Sequence, residues 1–193
     1  MGRRFSKSLG RKTHANPQAS ISTLNEEEAL EFIESFDGDP FVLLLDQVQD
    51  PRNFGACLRS AAGAGVDLVV MPSDRSAGLT EVVRHVAAGA AESLTLARAR
   101  NLSRFMNRLK EIGIKLVGTS DQAVGSIFES DLQGPIGLVA GAEGTGIRRL
   151  TAANCDLLAN IPMSVKMDCL NVSVATGICL FEIRRQRIIQ AKK

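Results

Sequence analysis

From residue 41 onward, short apolar runs alternate with stretches of helical periodicity, and that alternation narrows the folds open to this chain more than anything else in it. Residues 41–45 (FVLLL) carry no polar side chain, so as a strand they must be buried on both faces. Further strands are predicted at 67–71, 93–96, 114–118, 136–140 and 157–161. Helical patterns fall between them at 53–64, 79–91, 101–112, 124–130 and 147–154. A last helix follows the last strand. Its apolar positions are Leu170, Val174, Ile178, Phe181 and Ile188, with small residues between them and Asn171 at the N-cap. Strands alternating with helices predict an α/β fold, with a mostly parallel sheet covered by helices on both faces.

Ahead of the sheet, residues 23–36 read as a helix with Thr23 or Asn25 as cap and glutamates in the first turn. Asp37-Gly38-Asp39-Pro40 ends it. Residues 1–22 are polar and basic and read as a flexible tail. The expected organisation is therefore a tail (1–22), a helix and linker (23–39), and one α/β domain (40–190), an ordinary size for a single core.

No apolar run approaches the length of a membrane span, and the first residues lack the apolar stretch of a secretory leader. Cys57, Cys155, Cys169 and Cys179 show no metal-ligand spacing. They read as reduced thiols of a cytoplasmic protein, with no metal expected. An acid-free, Arg- and Ser-bearing start also fits an organellar transit peptide. The net charge of +2 conceals basic ends: Arg3, Arg4, Lys7, Arg11 and Lys12 at one, and Arg184, Arg185, Arg187, Lys192 and Lys193 at the other. Such ends suit a polyanion such as RNA, though they also serve simply to solvate a tail. With no Trp and no Tyr, a base-stacking sheet surface is not expected.

Three predicted strands run into polar loops at their C-termini, where open α/β proteins build ligand crevices. The first loop is 46–55 (DQVQDPRNFG), leading into a helix that carries Arg59. By helical spacing Asn53 and Arg59 do not share a face, but both can border a crevice if Asn53 lies in the first turn. The second is Gly141-Ala142-Glu143-Gly144-Thr145-Gly146, whose backbone N–H groups are available to a ligand. Glu143 in its middle disfavours a pyrophosphate and suits a cationic or hydroxyl-bearing ligand. The third runs from Ile161 to the last helix and carries Lys166, Asp168 and Cys169. Singly, each reads as an ordinary helix start.

Together they resemble a family. Asn53-x-Gly55-x-x-x-Arg59, Gly141-Ala142-Glu143-Gly144-x-Gly146-x-Arg148, and Ile161-Pro162-Met163 followed by Leu170-Asn171-Val172-Ser173-Val174-Ala175 are similar to the three motifs of the SpoU/TrmH-type RNA ribose 2′-O-methyltransferases of the SPOUT superfamily. The resemblance covers roughly 40–187. It is strongest to the branch acting on a guanosine of large-subunit ribosomal RNA, through residues 50–60 and 89–93.

The resemblance implies a C-terminal trefoil knot, a homodimer and an RNA substrate, with ribosomal RNA ahead of tRNA. It implies S-adenosylmethionine held by Gly141, Ile161 and Leu170, with Thr119, Gly144 and Met163 nearby. It also implies a catalytic set of Arg59, Asn53, Glu143 and Asn171. Because arginine stays protonated, Arg59 is expected to clamp a phosphate rather than to remove the hydroxyl proton. The chain departs from the family at Cys169, where serine is usual, at the 164–168 loop, and in having no separate N-terminal RNA-binding domain within this sequence. Two other readings stay open: a non-catalytic RNA-binding or ribosome-assembly factor, which Cys169 and the missing domain suggest, and a nucleotide-binding enzyme built on the glycine loop, which Glu143 disfavours.

Overall fold

The computed structural model describes residues 22–164 and 169–191. The expected 1–22 tail and the 165–168 part of the third loop lie outside these residues, apart from residue 22. Strands β1 (Phe41–Asp46), β2 (Leu68–Pro72), β3 (Thr95–Ala99), β4 (Lys115–Thr119), β5 (Gly125–Ser126), β6 (Ile136–Gly141) and β7 (Leu157–Asn160) form the sheet. The helices are α1 (Glu26–Glu34), α2 (Pro51–Ala64), α3 (Glu81–Ala87), α4 (Ala90–Ser93), α5 (Leu102–Glu111), α6 (Arg149–Ala153) and α7 (Val172–Gln190). Among the described residues the sheet has seven strands in the order β3-β2-β1-β6-β4-β7-β5, all pairs parallel.

β1 is buried along its whole length, as its unbroken apolar run requires. Phe41, Leu43 and Leu45 point into a core shared with Phe54 and Leu58 of α2 and Leu180 and Ile183 of α7. Val42 and Leu44 point the other way, towards Leu30 and Ile33 of α1 and Phe105, Met106 and Leu109 of α5. Two cores on opposite faces of one sheet make this a layered α/β domain. Of the two cap candidates for α1, Asn25 is the one used. Its side chain accepts from Glu27 and Glu28 N–H, and Glu28 returns a bond to the Asn25 N–H.

Several predicted elements are corrected. The single helix at 79–91 is two, α3 and α4, broken where Ala88 and Gly89 both take positive φ (51° and 87°). The predicted strand 93–96 therefore starts later, at Thr95. The helical piece at 124–130 is not a helix. Gly125 and Ser126 pair with Ala159 and Asn160 as an edge strand, Ile127 alone of the apolar side chains there is buried, and Val124 is fully exposed. The helix predicted from 147 begins at Arg149, because Arg148 is extended (ψ 151°).

Of the apolar pattern predicted for α7, Val174, Phe181 and Ile188 are exposed and Leu170 and Ile178 half-buried, whereas Val172, Thr176, Cys179, Leu180 and Ile183 face the core. α7 lies on α2 through small residues, and a Cβ added at Gly177 would stand 3.4 Å from Ser60 Oγ. The far end of α7 is fixed by Arg187, whose Nη2 donates to the carbonyls of Pro40 (3.0 Å) and Gly134 (2.8 Å) and whose guanidinium lies 4.8 Å from the centre of the Phe41 ring. Arg187→Ala leaves both carbonyls without this donor, and we expect a loss of about 2 kcal/mol, read as a lower urea midpoint.

Candidate active site

The three loops do meet. Asp50 caps α2 by accepting from Arg52 N–H (2.7 Å) and Asn53 N–H (3.0 Å), which sets Asn53 in the first turn. The Asn53 side chain points across the C-terminal edge of the sheet and donates to Glu143 Oε2 at 2.8 Å. Asn171 does two things. Its Oδ1 accepts from Ser173 N–H (2.9 Å) and Ser173 Oγ (2.7 Å), capping α7. Its Nδ2 donates to Asn53 Oδ1 (3.0 Å) and to Glu143 Oε1 (3.4 Å). Two carboxamides from two helix starts thus hold one carboxylate from the glycine loop. Glu143 and Asn171 are exposed and Asn53 half-buried, so the cluster is open to a ligand.

The glycine loop is folded back on its own beginning. Ala142 and Gly146 exchange backbone bonds (N–H to O 3.1 and 2.9 Å), and Gly144 and Gly146 take φ of 78° and 64°. A Cβ at Gly141 would fall 2.0 Å from the Gly146 carbonyl carbon. The far end of the loop is tied to the end of β1. Asp46, 1% exposed, accepts from Arg148 backbone N–H (3.0 Å), Nε (2.8 Å) and Nη2 (2.6 Å).

Below this cluster lies a cleft of about 420 Å³, within the range of small-molecule sites. Thr119, Gly141, Gly144, Ile161, Met163 and Leu170, the six expected cofactor residues, all line it. Cys169 lines it too, and Thr176 closes its floor. A neighbouring recess of about 400 Å³ shares Ile161 and Met163 with the cleft, and both are also lined by Asp121 and Gln122. Sequence reading missed these two; their only signal is position, in a loop after a strand C-terminus. Among the described residues the cleft carries no basic side chain and two carboxylates, Asp121 and Glu143, and Glu143 still has lone pairs to offer. Such a site fits a neutral adenine-type ring over main-chain groups and a cation beside Glu143.

Arg59 is the expected site residue that is not brought in. It lies exposed on α2, does not line the cleft, and among the described residues has no hydrogen bond or ion pair. Cys57 and Cys179 are buried between α2 and α7. Burial pushes both thiols up to about 12, so neither offers a thiolate at neutral pH. Among the described residues no group of His, Cys, Asp and Glu has the arrangement of a metal site.

Comparison with known proteins agrees with this geometry. Residues 40–181 match the SpoU rRNA Methylase family. The chain is similar to the 23S rRNA (guanosine-2'-O-)-methyltransferase RlmB of Pseudomonas aeruginosa, with 52% identity over 81% of this chain and 63% of the relative. It is similar to the protein of that name from Ralstonia nicotianae, with 46% identity over 93% of this chain and 71% of the relative. The chain thus spans about two thirds of the length of these relatives. Among solved structures, the SpoU methyltransferase AviRb from Streptomyces viridochromogenes in complex with AdoMet superposes with a TM-score of 0.74 at 27% identity, over 80% of this chain and 63% of that one. With its motifs converging on one cleft and its sequence matching from residue 40 to 181, the chain belongs to the SpoU rRNA methylase family.

Proposed function

We propose that the chain transfers the methyl group of S-adenosylmethionine to a ribose 2′-hydroxyl of RNA, at a guanosine of ribosomal RNA. The observation that carries this reading is the Asn53–Glu143–Asn171 cluster at the mouth of a cleft lined by all six expected cofactor residues. The cofactor supplies an electrophilic methyl on a sulfonium centre. Main-chain groups at Ile161, Leu170 and the glycine loop, which line the cleft, would hold its adenosine part. Glu143 offers its remaining lone pairs to the ribose hydroxyl or to positive charge, and Asn53 and Asn171 fix its orientation. Fixing the hydroxyl in line with the methyl is a large share of the acceleration. Arg59 clamps the adjacent phosphate and eases loss of the hydroxyl proton to that phosphate or to water. The names of the relatives and the AdoMet-bound neighbour support this reading.

The proposal includes a trefoil-knotted C-terminus and a cytoplasmic homodimer. β7 inserts between β4 and β5, and α7 then returns across α2 and β6, a path that suits threading. The exposed Val174, Phe181 and Ile188 lie seven residues apart on α7, a stripe fit for a second copy. Phe181 lies over Gly63, one helical turn from Arg59, so docking there would put Arg59 at the seam.

Calorimetric titration with S-adenosylmethionine, followed by mapping of ribosomal ribose methylation in cells lacking the chain, tests the whole. Absence of binding together with an unaltered methylation map overturns it. Binding without turnover would favour the non-catalytic RNA-binding reading, for which the distance of Arg59 from the cleft is the supporting observation. Asn171→Asp separates the two duties of that side chain. It keeps the acceptor that caps α7 but replaces the donor to Glu143 with a like charge. We expect thermal stability to hold within a few degrees and turnover to fall about a hundredfold.

A further inference from the structure

We infer that the ion pair between buried Asp46 and half-exposed Arg148 is a positioning clamp that sets the glycine loop for cofactor binding. This inference rests on the methyltransferase reading. Asp46 is the last residue of β1 and is paired in register with Gly141, where the loop leaves β6. Its carboxylate then takes the backbone N–H, Nε and Nη2 of Arg148, where the loop returns. One fully buried side chain therefore holds both ends of the loop whose residues line the cleft from Gly141 to Ile147. Between those ends, Glu143 must reach Asn53 at 2.8 Å, so a small shift of the frame removes that bond.

Stability alone does not explain the pair. A buried carboxylate, even when paired, is commonly no better than an apolar residue of similar size, whereas an unpaired buried carboxylate is costly. All five other residues of β1 are apolar, so an apolar side chain at its end would suit the core. What the carboxylate adds is an obligation. Because Asp46 cannot stay unpaired at 1% exposure, Arg148 has one place to go, and the exit of the loop is fixed by it. Arg148 also caps α6 without a side-chain cap bond, its guanidinium being turned to Asp46 instead.

The test uses the full chain with Asp46→Asn and with the neutral pair Asp46→Asn/Arg148→Met. Asparagine keeps the shape and one acceptor for the N–H at position 148, but removes the charge that recruits the guanidinium. Amide hydrogen exchange over 142–147 is expected to quicken about tenfold in both variants without ligand. The dissociation constant for S-adenosylmethionine should rise about tenfold, and Tm should stay within a few degrees. Unchanged loop exchange overturns the clamp, as does quicker loop exchange with unchanged cofactor affinity. Exchange that quickens across the whole sheet with a falling Tm also overturns it, since the pair would then serve stability alone. If the unaltered chain fails to bind S-adenosylmethionine, the methyltransferase reading is what fails, and the ligand-free exchange still reports on the loop.

Discussion

Replacing Gly141 by alanine is expected to weaken S-adenosylmethionine binding by more than about a hundredfold while leaving the sheet intact. The added Cβ would stand 2.0 Å from the Gly146 carbonyl carbon, 2.1 Å from the Ile147 nitrogen and 2.2 Å from the Gly146 oxygen. All three are backbone atoms, so no rotamer change relieves the clash. The return limb of the loop must move by more than an ångström. That movement breaks the reciprocal Ala142–Gly146 bonds and carries Glu143 away from Asn53. Gly141 ends β6, and its predecessors pair on both sides, with β1 and with β4, so the damage stays local. Overpacking of this kind costs about 1–3 kcal/mol, which urea unfolding would register as a partial loss. Gly125→Ala is the control, because its nearest foreign atom to an added Cβ lies at 4.0 Å. A Gly141→Ala protein that binds the cofactor as well as its parent would show that the loop is not part of the cofactor site.

How far the sequence foretells this arrangement depends on the physics behind each element. β1 is legible because a strand buried on both faces must be apolar throughout, and 41–45 is. The helix expected from 53 begins at Pro51, because Asp50 caps it, but the starts of α1 and α7 are legible through Asn25 and Asn171, whose side chains satisfy the first free N–H groups. The break at Ala88 is not, because alanine in the left-handed region gives no local warning. Which face of α7 packs inward is not legible either, because periodicity tells that a stripe is apolar and not what covers it. Likewise, the motifs foretell that Asn53, Glu143 and Asn171 share a site, but not that each of the three is bonded to both others. Asp46 escapes entirely. It reads as the polar end of a strand, and only the fold shows that an arginine 102 residues later completes it.

Arg59→Ala is expected to leave cofactor affinity unchanged and to cut turnover by about a hundred- to a thousandfold. The first half follows from position, since Arg59 is exposed, touches none of the cleft and has no partner among the described residues. For the same reason folding stability should change by no more than about 0.5 kcal/mol. The second half follows from the proposed phosphate clamp, for which lysine is a poor substitute because it lacks the planar fork. Under the homodimer proposal Arg59 lies at the seam, one helical turn from the Gly63–Phe181 contact. Each site would then take its arginine from the other copy. Mixing Arg59→Ala chains with Glu143→Ala chains and letting them exchange tests this directly. With random pairing, mixed dimers contain one site with Glu143 from one chain and Arg59 from the other, so about a quarter of parental turnover should return. If Arg59 serves its own chain, every site in the mixture carries one defect and nothing returns. Full turnover of Arg59→Ala alone would instead remove Arg59 from the mechanism and leave the Asn53–Glu143–Asn171 cluster to carry the reaction.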